Sequence, residues 1–344
     1  MSQRERPAAI GTPGEPALWV HAVEGAEPDI GPRPFLYGDT GYAGAEPGER
    51  GEMPADAAGV NGPVIQPPVW TWEIPLYFWL GGIAAGASFI AVACDLAGDH
   101  RSARAARRVA AGAVVPCPPL LISDLGRPER FHHMLRVFKP RSPMNMGAWA
   151  LTAFGALGGA AVAADGARRP RAARALGAAN AVVGGYVGSY TGVLLATTAV
   201  PLWSRSRLFL GPIFVSTAVA TGAATVRLAL RGTGEDSTHD ALARIETGAI
   251  ACELALSSVN ERRLGDLGRP LRERRLYGAA KWAVRTGLAL RAIPGPRSRQ
   301  ASGALFLAGG LAFRYAWVEA GKASAGDHEN VARNARSSGR SAGT

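Results

Sequence analysis

Few ionisable residues fall inside or at the ends of the apolar stretches of this chain, and each one calls for a reason. Glu73 opens the first apolar run, Asp124 closes the second, and Tyr190 lies in a later one among Gly, Ser and Thr. Glu246 and Glu253 are seven residues apart and so share one face of a helix, while Arg227 and Arg314 stand near the ends of two further runs. A charge at the centre of a bilayer costs roughly 2.5–3.5 kcal/mol on insertion scales. A carboxylate at a membrane boundary beside an arginine and a tyrosine is an arrangement that holds a quinone head group. Quinone oxygens need donors on reduction, and the quinol must release protons on oxidation. Structural pairing competes with this chemistry. Asp124 with Arg127 reads equally as a site or as an ion pair tying helix ends together. Glu246 and Glu253 are expected to pair with Arg227 or Arg314, with a proton path as the sharper alternative. Tyr190 is expected to line a polar cleft and to meet a ligand.

Other chemistries find no residues to carry them. His21, His100, His239 and His328 lie outside the apolar runs or at their margins, and His132 and His133 follow the first Asp-Leu-Gly-Arg-Pro. A b-type haem in a membrane takes axial histidines from within spans, so no haem is expected. Cys94, Cys117 and Cys252 form no CxxC pair and are odd in number. Disulfides and a metal or cluster held by this chain are therefore not expected, and three small buried apolar side chains are. Neither a Walker loop, a Rossmann fingerprint nor a nucleophile elbow occurs. Any electrons must arrive from another subunit.

These residues need elements to position them. The 344 residues include 38 basic and 27 acidic ones, for a net charge of +11. A mean hydropathy of +0.04 hides a partition. Residues 1–70 read as a polar arm without periodicity, residues 71–320 as a polytopic membrane domain, and 321–344 as a polar tail. The arginines bracket apolar runs and do not line a polar helix, which excludes nucleic acid and fits membrane spans in lipid. The first 20 residues lack a basic region followed by an apolar one, so the first span is expected to serve as the insertion signal.

A hydrocarbon core of about 30 Å needs roughly 20 apolar residues as helix. Segments 74–94, 176–200 and 301–320 meet that length, 208–226 nearly does, and 148–164 is at the short limit. Segment 109–123 holds Pro116, Pro118 and Pro119, which predict a broken or tilted span. Segments 241–259 and 276–293 carry charges and count as spans only on a repeat argument. Asp-Leu-Gly-Arg-Pro occurs at 124–128 and again at 266–270, and Gly184-Gly185, Tyr190 and Val193 recur in spacing as Gly309-Gly310, Tyr315 and Val318. The expectation is an all-α integral membrane protein of eight transmembrane helices in two repeated four-helix bundles, about 71–200 and 208–320. Arginines are shared between the loops of both sides, so the positive-inside rule gives no vote.

Three stretches carry a resemblance. Pro67-Pro68-Val69-Trp70 with Trp72 through Gly82 is similar to the first-span signature of the NrfD/polysulfide-reductase membrane subunit family. Asp124 through Phe131, with Met134-Leu135-Arg136 and Pro140 through Met144, resembles that family's loop after the second span, and Ser189-Tyr190-Thr191-Gly192-Val193 its fourth-span motif. The resemblance covers about residues 62 to 323. It implies eight spans and a non-covalent menaquinone or ubiquinone site near one membrane face. It implies a four-cluster ferredoxin-like iron–sulfur partner, joined to a molybdopterin oxidoreductase catalytic subunit, in a prokaryotic inner (cytoplasmic) membrane. Carried over, Glu73, Tyr77 and Tyr190 would face the quinone, and Asp124 with Arg127 would shape the site or its proton exit. His132-His133 and Pro116-Cys117-Pro118-Pro119 depart from the family pattern. The leading expectation is a quinone-interacting membrane anchor passing electrons between the quinone pool and an iron–sulfur partner. A proton channel or secondary transporter, and a purely structural anchor, are the alternatives.

Overall fold

The computed structural model describes residue 65, residues 67–231 and residues 236–327. Most of the expected polar arm and most of the expected tail lie outside the described residues. Within them the chain is helical and contains no strand.

The apolar runs form helices whose ends extend beyond the hydrophobic stretch, because capping residues sit outside it. The first is α1, Glu73–Leu96. The broken span expected over 109–123 is two helices, α2 (His100–Val114) and α3 (Cys117–Ser123), meeting at Val115–Pro116. Pro116 cannot donate to a helical bond, and Pro118 and Pro119 restart the helix in its first turn, where a proline costs nothing. After the one-turn α4 (His133–Arg136) comes α5, Pro143–Gly166. It begins five residues before the apolar run because Ser142 caps it, accepting from the Asn145 N–H, and Pro143 takes the first turn. Then follow α6 (Pro170–Ala196), the short α7 (Pro201–Arg205) and α8 (Arg207–Ala229). The last four are α9 (Asp236–Leu264), the one-turn α10 (Arg269–Arg272), α11 (Arg275–Arg291) and α12 (Pro296–Gly326).

Four stretches are long and apolar enough to cross a membrane by length and composition: Glu73–Leu96, His100–Ser123, Pro143–Gly166 and Arg207–Ala229. The runs at 176–200 and 301–320 belong to helices of 27 and 31 residues that are more polar than this standard, as are α9 and α11. Short connections between the long helices make successive ones antiparallel. The Glu73 end of α1, Asp124 and the start of α5 therefore share one side, called here the Asp124 side. The tail boundary moves as well. α12 continues six residues past 320 because Ser324 accepts a hydrogen bond from the Leu202 N–H at 3.2 Å, and Lys322 donates to the Trp70 carbonyl at 2.8 Å.

The centre of the molecule is the crossing of α1 with α8. A Cβ on Gly86 would stand 1.9 Å from the Ala218 carbonyl oxygen, and one on Gly222 would stand 2.5 Å from the Gly86 carbonyl carbon. Only glycine permits backbones this close, the small-residue packing that replaces hydrophobic drive within lipid. Charges at the far side are locked in pairs. Arg107 binds Asp95 at 2.6 Å and Asp165 at 2.7 Å, joining α1, α2 and α5.

Candidate functional site

On the Asp124 side a cavity of about 90 Å³ lies between α1, α3, α5 and α6. By the same measure a water needs about 10–15 Å³, so the cavity exceeds the space of a single solvent molecule several-fold. Tyr77 reaches it from the first turns of α1, where Ile74 and Phe78 also face it, and Trp70 faces it from the segment before the helix. Asp124 reaches it as the residue that ends α3. Tyr190 comes from α6, and Met134 and Met144 close the loop side.

Tyr190 fits because α5 offers a glycine where it passes. A Cβ on Gly147 would stand 2.2 Å from the Tyr190 ring. The ring is stacked on Tyr186 at 5.6 Å between centroids, which fixes its plane. Tyr77 and Tyr190 are 2% and 5% exposed, yet among the described residues neither hydroxyl has a hydrogen-bond partner. Neither oxygen is among the sealed, unpaired polar atoms of the described residues, so both hydroxyls are open to a partner from outside the packed side chains. Two such hydroxyls at one apolar cavity mark a place built for a ligand's acceptors or for water.

Asp124 is half-buried and accepts a long hydrogen bond from the Thr71 N–H at 3.5 Å. Burial pushes its carboxyl above the usual range, and the charge of Glu73 pushes the same way. The Thr71 hydrogen bond and the charge of Lys322 oppose the shift. A carboxyl held in this way is suited to giving and taking a proton at the cavity wall.

The predicted residues sort into two groups. Tyr77, Asp124 and Tyr190 share the cavity. Glu73 stands at its rim, bonded by the Thr71 hydroxyl, and its charge reaches Asp124 without lining the space. Arg127 does not join them. It is exposed and forms no ion pair with Asp124, because the chain leaves α3 through an irregular turn (φ −137° at Arg127) in which a spacing of three places nothing together. The cleft around Tyr190 is also less polar than expected, with aromatic and methionine side chains where Ser and Thr were foreseen. Trp70, Met134, Met144 and Gly147 were not singled out as site residues. The chain holds five methionines and three of them fall within 134–146, a clustering that marks the loop.

The second group splits in two. Glu246 is fully buried and pairs with Arg227, Nε to Oε1 at 2.6 Å and Nη2 to Oε2 at 3.1 Å. Arg291, unforeseen, binds the same carboxylate from α11. Glu253 forms no ion pair with Arg314 within 4 Å. It accepts a hydrogen bond from the Ser257 hydroxyl at 2.7 Å instead. Arg314 lies over the Phe214 ring at 3.7 Å and donates to the Phe214 carbonyl at 3.1 Å. Of the three cysteines, Cys94 and Cys117 are buried as expected, whereas Cys252 is exposed beside the inner face of α9, its sulfur accepting from the Ser216 hydroxyl of α8 at 3.5 Å.

The family described as polysulphide reductase, NrfD, matches residues 63–259, which include every wall of the cavity. No curated protein matches the chain. Members of that family are membrane subunits of quinone-linked oxidoreductase complexes and typically partner iron–sulfur and molybdopterin subunits. With the family matched over more than half its length and with its apolar helices, this chain is a multi-pass membrane protein and belongs to the NrfD polysulphide reductase family.

Proposed function

We propose that the chain is the quinone-reactive membrane anchor of a multi-subunit oxidoreductase in a prokaryotic inner membrane. It spans the bilayer eight times as two four-helix bundles. Electrons pass between menaquinone or ubiquinone and a four-cluster ferredoxin-like iron–sulfur subunit, which connects in turn to a molybdopterin oxidoreductase. The observation that carries this reading is the pair of partnerless hydroxyls, Tyr77 and Tyr190, in an aromatic and methionine wall that also holds Asp124.

The residues present fit a quinone. Trp70, Phe78 and the two methionines offer an apolar surface to a flat ring, and the two hydroxyls offer donors to its oxygens. A bound quinone supplies two-electron redox chemistry, and the chain supplies position and protons. Tyr77 and Tyr190 orient the ring by hydrogen bonding. Asp124 exchanges a proton between the cavity and the Asp124 side, its affinity for that proton raised chiefly by burial and adjusted in opposite directions by the charges of Glu73 and Lys322. Arg127, exposed next to the cavity loop, is a surface charge available to a partner rather than a wall residue.

Purification in mild detergent, with mass spectrometry and lipid extraction on one sample, tests the proposal. A co-purifying ferredoxin-like protein together with a quinone is the expected result. A chain that purifies alone and quinone-free overturns it.

A further inference from the structure

α9 carries two buried carboxylates seven residues apart on one face, and the protein treats them differently. Glu246 is clamped by two arginines and lines neither this cavity nor the one at Asp124. Such a carboxylate is fully satisfied and locked. Glu253 has no cation within 4 Å, one hydroxyl partner, and a cavity of about 60 Å³ in front of it, bounded by α8, α9, α11 and α12. By the same measure a water needs about 10–15 Å³, so the cavity accommodates a few. Arg314 follows Phe313, which lines that cavity, and is 1% exposed. Neither its Nε nor its Nη1 has a hydrogen-bond partner. The charge of Arg314 reaches Glu253 nonetheless. The cavity wall is mostly apolar, with Thr217, Glu253, Ser257 and Glu261 as polar points on it. A lone buried carboxylate on that wall and an unfilled guanidinium beyond ion-pair distance are what ordered water completes.

The cavity also leads towards the Asp124 side. Glu261, two turns along α9, lines it, accepts from the Tyr277 hydroxyl at 2.5 Å and pairs with Lys281 at 2.7 Å. Glu261 and Lys281 are 18% and 31% exposed, so the cluster meets the surface. The titratable and charged groups facing Glu253 are Arg314 from α12, Tyr277, Lys281 and Arg285 from α11, and Glu261 from its own helix; α8 presents Thr217.

We infer that this second cavity is a hydrated proton-binding site, in which Glu253 takes up and releases a proton through water, Ser257 and the Glu261–Tyr277–Lys281 cluster. The proton comes from bulk water on the Asp124 side and returns there. Nothing else is transferred, and no redox partner is involved. Arg314 is a positioning residue, because its fixed charge and unfilled donors hold the water that connects it to Glu253. The inference is independent of the quinone cavity, which lies between other helices.

Infrared difference spectroscopy of the full-length chain in lipid nanodiscs, titrated with pH in water and in heavy water, tests it. A carboxyl band that appears as pH falls, shifts in heavy water and disappears in Glu253→Gln is expected. Ser257→Ala removes a hydrogen bond while leaving both charges, and it shifts that band, so the test stands even where Glu253→Gln fails to fold. Identical spectra for wild type and Glu253→Gln overturn the inference. So does a Ser257→Ala spectrum unchanged from wild type, or a Glu253 band blind to heavy water, which marks a sealed structural carboxylate. Quinone content measured on the same sample keeps failure here distinct from failure of the quinone reading.

Discussion

Tyr77 and Tyr190 are the residues on which the proposed function turns, because their hydroxyls hold nothing in the protein. Removing either hydroxyl therefore leaves folding intact and takes away one hydrogen bond to the ligand. A net hydrogen bond is worth about 0.5–1.5 kcal/mol, so Tyr190→Phe and Tyr77→Phe should each weaken quinone binding about 2- to 12-fold. Titrating a quinone analogue into the purified complex reads this directly, and unchanged affinity in both variants counts against the site. Asp124 adds a pH dependence with a defined sign. Its carboxyl is held above the usual Asp value of about 3.9, so the protonated form persists to higher pH than in an ordinary aspartate. In quinol oxidation it must be ionised to accept a proton, and activity is lost as pH falls through its raised pKa. Asp124→Asn removes that limb of the pH profile. Asp124 and Tyr190 were legible because polar groups in or at the ends of apolar runs are costly and hence conspicuous, whereas Tyr77 came only from the resemblance of the first span. Arg127 neither lines the cavity nor pairs with Asp124, because spacing carries geometry only within regular structure and Arg127 lies in an irregular turn. Gly147 was invisible, because nothing in a sequence says which glycine on α5 a ring on α6 will pass.

At the scale of helices, packing rests on a few points of closest approach. The crossing of α1 and α8 admits no Cβ at Gly86 or Gly222, since either would overlap backbone atoms that cannot move aside as a side chain would. Overpacking a tight core costs about 1–3 kcal/mol, and more where backbone must shift. Gly222→Val is expected to lower the melting temperature of the detergent-solubilised chain. Gly185→Val, at a glycine with open space around it, should leave it unchanged and serves as the control. Equal melting temperatures would mean the crossing is looser than described. The sequence showed which segments are helical cores through their apolar runs, but not their lengths. Ser142 with Pro143 starts α5 early, and Pro296 starts α12 early, because caps belong to the polar flank. α9 was harder to read for a related reason. Its buried face carries Glu246, Glu253, Ser257 and Asn260, so hydropathy understates a helix whose polar groups face inward to partners.

For the whole molecule, the consequence is that the cavity of the first helices depends on the last one. The rim that carries Trp70 and Trp72 is held from α12, which lies beyond the part matching the family. The Tyr315 hydroxyl donates to the Trp72 carbonyl at 2.9 Å, and Lys322 donates to the Trp70 carbonyl at 2.8 Å. Trp70 then stacks on Trp203 at 5.6 Å, and the Trp203 indole N–H donates to the Trp317 carbonyl at 2.9 Å. Two backbone carbonyls ahead of α1 are thus fixed by side chains about 250 residues away in sequence. Position 315 was noted from the sequence only as the echo of Tyr190, and no spacing rule connects it to the residues before α1. The double variant Tyr315→Phe with Lys322→Met removes both anchors and leaves every cavity-lining residue in place, while loss of the Lys322 charge pushes the Asp124 carboxyl up further. It should fold and assemble, since both groups are partly exposed and their loss leaves the α1–α8 crossing intact. It should also retain less quinone through purification, and show a higher KM for quinone with reduction of the iron–sulfur partner by an artificial donor unchanged. Loss of the partner reaction as well would place Tyr315 and Lys322 in assembly. Full quinone retention with an unchanged KM would show that the rim keeps its position without α12.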